Sequence, residues 1–312
     1  MQDKVKVFTG SGNPALAQAI CDHLSIPLGK AEIRRFSNEN IFVQIMENVR
    51  ERDVFVLQPL SSPVSENLLE LLIMMDALRS ASARRITAVI PYYSYARSDK
   101  KDKPRISIAG RLIADLLVTA GANRILTMTL HSEQVQGFFN CQADHLSATP
   151  ILSEYFQSLH IDNCVAVAPD AGSARRAGSY ATRLNIPLAF VDKRRVSDER
   201  VEVRAVVGDV KGKNVICFDD EIARGSSLLE TVKLLRNFGV GDIYVGATHG
   251  VFTGDAVERI AASPIRQVVV TDTVPLPPEK RCDKIVQLSV APLFGEAIRR
   301  IYTGESVSAI FE

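Results

Sequence analysis

The segment KNVICFDDEIARGSSLLETVKLL, residues 213–235, changes its pattern twice within a few positions, and those changes decide the fold. The apolar run 214–218 reads as a buried strand ending at two adjacent carboxylates, Asp219 and Asp220. A short loop with Gly225, Ser226 and Ser227 follows, then apolar residues at helical spacing. A strand that enters a helix through a tight loop of small residues is half of a βαβ unit. Backbone N–H groups at a helix start, with a glycine allowing close approach and serine hydroxyls adding donors, suit a phosphate dianion. Paired carboxylates at a strand end suit two vicinal sugar hydroxyls, or a magnesium held through them. The combination reads as a grip for a phosphorylated ribose. On spacing alone, a capped strand-turn-helix with a solvated acidic turn accounts for it equally well.

The same alternation runs in both directions from this segment. Strands are expected at 5–9, 53–58, 85–91 and 124–130, then at 164–169, 188–192, 201–207, 243–248 and 267–271. Helices are expected at 65–81, with Ser65 as N-cap, and at 107–120, stopped by Gly121. Others follow at 172–184, 226–238, 255–262 and 292–302. This is the pattern of an α/β protein with mainly parallel sheets flanked by helices. A boundary falls near residues 146–150, where a new helix begins at Thr149 or Pro150. In such sheets ligands bind beyond the carboxyl ends of the strands.

A chain of 312 residues exceeds one ordinary core, so two domains are expected. With 46% hydrophobic and 23% charged residues it is not a disordered or fibrous sequence. Lysine and arginine number 37 against 36 acidic residues, a net charge of +1, which argues against nucleic acid or an anionic membrane as partner. Any anion site is therefore local. The five cysteines form no CxxC or Cys/His cluster, and no apolar stretch approaches a membrane span, so a cytoplasmic protein is expected.

Four other strand ends carry chemistry. In VAVAPDAGSARR, residues 165–176, small residues open a helix after Asp170, with Arg175 and Arg176 in its first turns; the arrangement suits an anion, and Asp170 suits a metal. YYSYARSDKKDKPR, residues 92–105, offers arginine for a polyphosphate and tyrosine for a base, or is a solvated charged loop. His131 stands just beyond a strand, as a structural hydrogen-bonder or as a partner for phosphate or metal-bound water. DKRRVSDERVEV, residues 192–203, reads as a hairpin whose Lys193, Arg194 and Arg195 are solvated or neutralise charge on a polyphosphate.

Seven ordered blocks carry a resemblance to the ribose-phosphate pyrophosphokinases: RRFSNENIFVQIMENVRERDVFVLQ, AVIPYYSYARSDKKDK, LHSEQVQGFF, PDAGSARR, VDKRR, CFDDEIARGSS and GESVSAIF. The resemblance implies two phosphoribosyltransferase-like lobes, 1–147 joined by about 291–312, and 148–290. It implies transfer of the β,γ-diphosphoryl group of ATP to the C1 hydroxyl of ribose 5-phosphate, with Mg2+ as cofactor, in a dimer-based homo-oligomer that is commonly hexameric. Phe36, Asn38, Glu39, Asn40, Arg97 and Ser98 fall on the family's ATP-binding positions, with Phe36 serving a neighbouring subunit. His131 and Asp170 match magnesium-associated positions, and Lys193 and Arg195 the catalytic loop. Asp219, Asp220, Ala223, Arg224, Gly225, Ser226 and Ser227 match the ribose 5-phosphate site.

The chain departs from the family pattern at several of these places. Ala223-Arg224-Gly225-Ser226-Ser227 replaces Asp-Thr-Ala/Gly-Gly-Thr, Thr129 and Asn140 replace carboxylates, and Ser98 replaces glutamine. Arg224 either pairs with the 5-phosphate or occupies its space. Two alternatives to an active enzyme are a non-catalytic regulatory subunit of the same family and a phosphoribosyltransferase.

Overall fold

Strand β1 (Val5–Thr9) leads into α1 (Pro14–Leu24), capped by the Asn13 side chain, which accepts the Leu16 N–H. An antiparallel ribbon, β2 (Ala31–Arg35) and β3 (Ile41–Ile45), follows. The chain then alternates through β4 (Asp53–Leu57), α2 (Val64–Ser80), β5 (Arg85–Ile90), α3 (Ala109–Ala120), β6 (Arg124–Met128) and β7 (Gln142–Leu146). Five of these strands form one parallel sheet in the order β1-β4-β5-β6-β7. Strands β4 and β5 are buried almost throughout, as a sheet covered on both faces requires. The computed structural model describes residues 4–170, 172–195 and 201–311, with the backbone alone at 192–195 and 201–204.

A second unit begins with α4 (Thr149–Ser158) and β8 (Cys164–Ala168), then α5 (Ala174–Leu184), β9 (Leu188–Arg195) and β10 (Val201–Val207). The chain continues through β11 (Asn214–Ile222), α6 (Ser226–Asn237), β12 (Ile243–Gly250), α7 (Ala256–Ala262), β13 (Ile265–Thr271) and β14 (Ile285–Leu288). The last helix, α8 (Ala291–Thr303), packs on α1 and belongs to the first unit. The units comprise Met1–Ser147 with Thr273–Pro275 and Ser289–Glu312, and Ala148–Asp272 with Leu276–Leu288.

The sheet of the second unit runs β10-β9-β8-β11-β12-β13-β14, all parallel except the β9–β10 hairpin. The chain winds outward from β8 to β10, then returns to the other side of β8 with β11. That reversal makes the β8/β11 boundary the topological switch point, where open sheets leave room for a ligand. One face of the sheet buries Val167, Val215, Cys217, Val245 and Ala247 with Val232 of α6 and Ile260 of α7. On the other face Phe218 stacks on Tyr180 of α5, ring centroids 3.9 Å apart, and meets the edge of Phe156 from α4 at 5.6 Å. Gly246 leaves space for these rings: a Cβ there would lie 2.8 Å from Phe156 and 2.9 Å from Phe218.

Two local expectations are corrected. Ser65 does not cap α2; the helix starts at Val64 after Pro63, whose carbonyl accepts the Asn67 N–H and whose ring fixes φ at −80°. Strand β11 does not stop at Phe218. It pairs with β12 as far as Ile222↔Gly250, so the two aspartates sit within the strand. The ribbon β2–β3 and helix α1 were not apparent from the sequence pattern. Among the described residues no helix is long and apolar enough to cross a membrane.

Gly246→Ala is expected to destabilise the protein by about 1–3 kcal/mol, because the aromatic ring cluster has no room for a methyl group. Urea denaturation measures the loss.

Candidate functional site at the switch point of the second sheet

Strand β11 has nine residues and β8 five, and their pairing ends at Cys217↔Val167. Beyond that point Asp219 and Asp220 have no strand on the β8 side, and α5 brings Arg176 to them. The Arg176 guanidinium donates to Asp220 Oδ1 at 3.0 Å and lies 3.9 Å from Asp219 Oδ1. The side chain of Asp220 is buried, whereas Asp219 remains 34% exposed and accepts the Asp220 N–H at 2.9 Å. Arg176 thus holds one carboxylate inside and leaves the other at the surface. Desolvation, then the neighbouring Asp220 charge, push the Asp219 carboxyl well above the usual aspartate range. Tyr180 lies beneath, its phenol pushed up to about 12 by burial.

Past Ile222 the chain turns through Ala223 and Arg224 into α6. Gly225, the N-cap, sits at φ +70°, a left-handed conformation that disfavours side chains. The first-turn N–H groups of α6 have no intrahelical acceptors, so the turn presents donors and the positive end of the helix dipole. The loop is braced from behind: Val251 and Phe252 N–H groups both donate to the Ile222 carbonyl at 3.0 Å, and Thr253 N–H donates to Ala223 at 3.0 Å. Arg224, Ser226 and Ser227 are exposed. The Arg224 guanidinium makes no hydrogen bond or ion pair with the described residues, leaving its charge available to an anion.

The neighbouring turn after β8 is closed by Ser173, whose N–H donates to Asp170 Oδ1 at 2.8 Å and whose hydroxyl donates to the Asp170 carbonyl at 2.9 Å. Asp170 is exposed, and its Oδ2 has no protein partner among the described residues. One carboxylate oxygen held by the fold and one left for a ligand suits a hard cation that keeps most of its shell as water and phosphate. No group of three or more His, Cys, Asp or Glu side chains among the described residues forms a protein-only metal cage.

The first unit carries the remaining expected positions. Phe36, Asn38, Glu39 and Asn40 form the turn of the β2–β3 ribbon, where Asn40 N–H donates to Asn38 Oδ1 at 3.3 Å. Phe36 is 48% exposed and meets Phe42 edge-on at 5.8 Å, with the Arg34 guanidinium over both rings. Arg97 is exposed at the end of a short 3-10 turn. The Ser98 hydroxyl oxygen accepts the Ala109 N–H at 3.0 Å, which fixes the start of α3. His131 is exposed three residues after β6; it follows Thr129, held at φ +43°, and Leu130, whose N–H donates to His145 Nε2 at 2.9 Å. Lys193 and Arg195 lie in the β9–β10 hairpin, paired with Val203 and Val201; their side chains lie outside the described set.

A third loop of small residues, Gly10-Ser11-Gly12 before α1, resembles an anion loop but is filled. Glu70 accepts the Ser11 N–H at 2.5 Å, the Ser11 hydroxyl at 2.9 Å and the Gln58 amide at 2.8 Å. A carboxylate of the protein occupies the place a phosphate would take. Sequence reasoning selected neither Glu70 nor His145, since both act at long range. Arg176 was visible only as one of two arginines at a helix start.

Two family models match the chain: residues 5–121 match the N-terminal domain of ribose phosphate pyrophosphokinase, and residues 195–312 the phosphoribosyl synthetase-associated domain. A ribose-phosphate pyrophosphokinase of Deinococcus radiodurans is 55% identical over 310 residues, spanning 98% of this chain and 97% of that protein. One from Caldanaerobacter subterraneus is 50% identical over 310 residues, spanning 99% and 98%. The crystal structure of phosphoribosylpyrophosphate synthetase from Mycobacterium smegmatis matches with a TM-score of 0.92 at 42% identity, covering 96% of this chain and 99% of that one.

The raised Asp219 carboxyl makes a signed prediction. An acid whose folded pKa lies above its unfolded value (~3.9) begins to cost stability as pH rises through the unfolded value, reaches its full cost above the folded one, and costs nothing well below both. Asp219→Asn is therefore expected to raise the urea midpoint at pH 7, with the gain vanishing below about pH 4. Paired denaturation curves at the two pH values check it.

Proposed function

The chain belongs to the ribose-phosphate pyrophosphokinase family, and from that premise we propose which of its residues hold the two substrates and assist the transfer. The enzyme moves the β,γ-diphosphoryl group of ATP to the C1 hydroxyl of ribose 5-phosphate, giving phosphoribosyl pyrophosphate and AMP. The observation that carries the assignment is the switch-point constellation of Asp219, Asp220 and the α6 turn. The 5-phosphate is bound by the backbone and hydroxyls of Gly225, Ser226 and Ser227, with Arg224 adding a cation that pairs naturally with phosphate. The half-buried Asp219 carboxyl accepts the ribose hydroxyls, while Asp220 is held by Arg176. Ala223 takes part through its backbone alone.

ATP is read by Phe36, Asn38, Glu39 and Asn40 at the ribbon turn and by Arg97 and Ser98. Exposure of Phe36 and Met46 on one ribbon supports its use by a second copy of the chain, in a dimer-based homo-oligomer. The Ser98 hydroxyl is already engaged with Ala109, so its part is to shape the turn that carries Arg97. Asp170 fits Mg2+ through its free carboxylate oxygen, and His131 fits a phosphate or a metal-bound water. Bound magnesium supplies charge neutralisation on the phosphates. The five cysteines, all free thiols, suit a reducing cytoplasm.

The chemistry needs no protein nucleophile. The C1 hydroxyl oxygen attacks the β-phosphorus in line, the bond from that phosphorus to the oxygen retained by AMP breaks, and the proton of the C1 hydroxyl is released to water. Lys193 and Arg195 neutralise the charge that spreads over the transferring group, an interaction strongest in the transition state. Lys193→Ala is expected to lower kcat by about 10²–10³ with little change in the KM for ribose 5-phosphate. AMP formed from ATP and ribose 5-phosphate is the readout. Unchanged turnover removes the hairpin from the chemistry, and nucleotide binding without AMP release contradicts the catalytic reading.

A further inference from the structure

Three successive carbonyls at the end of β11 point to donors on one side of the chain. Ile222 O is held by Val251 and Phe252, Ala223 O by Thr253, and Arg224 O by a side chain, Arg259 of α7, whose Nη1 donates at 3.2 Å. The same nitrogen donates to Ser226 Oγ at 3.1 Å. The acidic neighbour of Arg259, Asp255, is 3.9 Å away and largely exposed, so the short contacts of the guanidinium are those to the loop. Ala256, Val257 and Ile260 anchor α7 in the core, giving the clamp a fixed base.

Peptide geometry makes this arrangement directional. In a planar trans peptide the C=O of one residue and the N–H of the next point in opposite directions. Holding the Arg224 carbonyl toward α7 therefore turns the Gly225 N–H away from α7, and the two preceding bonds turn the Ala223 and Arg224 N–H groups away from residues 251–253. Ser226 Oγ has one proton and two lone pairs. With one lone pair taken by Arg259, and no acceptor for the hydroxyl proton among the described residues, that proton is left for a ligand.

We propose that Arg259 is a positioning residue of the phosphate loop, aiming the Gly225 N–H and the Ser226 hydroxyl together at the 5-phosphate of the sugar substrate. The proposal rests on the reading that the Gly225–Ser227 turn binds that phosphate. It places a determinant of sugar-phosphate affinity on a separate helix, 33 residues beyond Ser226.

The test is steady-state kinetics on the full-length enzyme with Arg259→Met, Arg259→Lys, Ser226→Ala and the Arg259→Met/Ser226→Ala double variant. Arg259→Met is expected to raise the KM for ribose 5-phosphate about tenfold or more, the scale of one hydrogen bond to a charged group, with the KM for ATP changed less than about twofold. Arg259→Lys, which keeps a donor and a charge, recovers part of the loss. The double variant loses little more than the worse single one, because both substitutions remove the same aimed hydroxyl. An unchanged KM in Arg259→Met or fully multiplicative losses in the double variant overturn the proposal. A Ser226→Ala/Ser227→Ala variant separates the two levels. If it also leaves the KM for ribose 5-phosphate unchanged, the phosphate reading of the turn fails; if it raises that KM while Arg259→Met does not, only the positioning role fails.

Discussion

The carboxylate pair and the glycine turn of the second unit depend on one constraint: β11 must continue past the end of β8. Pairing with β8 stops at Cys217, pairing with β12 goes on to Ile222, and the residues between have one open flank. Two carboxylates side by side on such a flank repel each other and lose water. The fold meets that cost with the Arg176 guanidinium at 3.0 Å from Asp220. Asp219 keeps enough exposure to meet a sugar, and its raised carboxyl pKa records the residual cost. The glycine turn follows at once, so in the proposed reading sugar hydroxyls and phosphate are addressed within a few residues of one strand.

The first unit shows what happens when that constraint is absent. Its sheet places β1 at an edge and adds each later strand on the same side, so the strand order has no reversal. Its small-residue loop at Gly10-Ser11-Gly12 has the composition of an anion site, yet Glu70 from α2 and Gln58 just after β4 fill it. The contribution proposed for this unit comes instead from the ribbon turn at Phe36–Asn40 and from Arg97, outside the sheet. Two α/β units of related layout thus differ in strand order and in whether a buried carboxylate fills the small-residue loop.

The switch-point strand, its carboxylates and the glycine turn were legible in the sequence because they are contiguous and each residue type has a local reason. The β2–β3 ribbon was missed: residues 31–45 are mostly half-exposed or exposed, so they give a weak alternation. The end of β11 was placed too early because charged residues resemble a loop, whereas backbone pairing with β12 holds them in the strand. Arg259 had no signal at all, since its significance comes from the contact of α7 with a loop distant in the chain. The departures at Ala223 and Arg224 leave two readings open in the sequence, a cation that pairs with the 5-phosphate or one that occupies its space. In the structure Ala223 contributes a carbonyl and Arg224 an exposed cation, and the frame of the turn is built from backbone atoms.

The central claim is that ribose 5-phosphate sits on β11 and the α6 turn. A crystal structure with ribose 5-phosphate bound tests this most directly. The account predicts the 5-phosphate oxygens within hydrogen-bond distance of the Gly225–Ser227 N–H groups and the ribose hydroxyls at the Asp219 carboxylate. A sugar phosphate bound elsewhere, with the Gly225 turn facing only water, would contradict it.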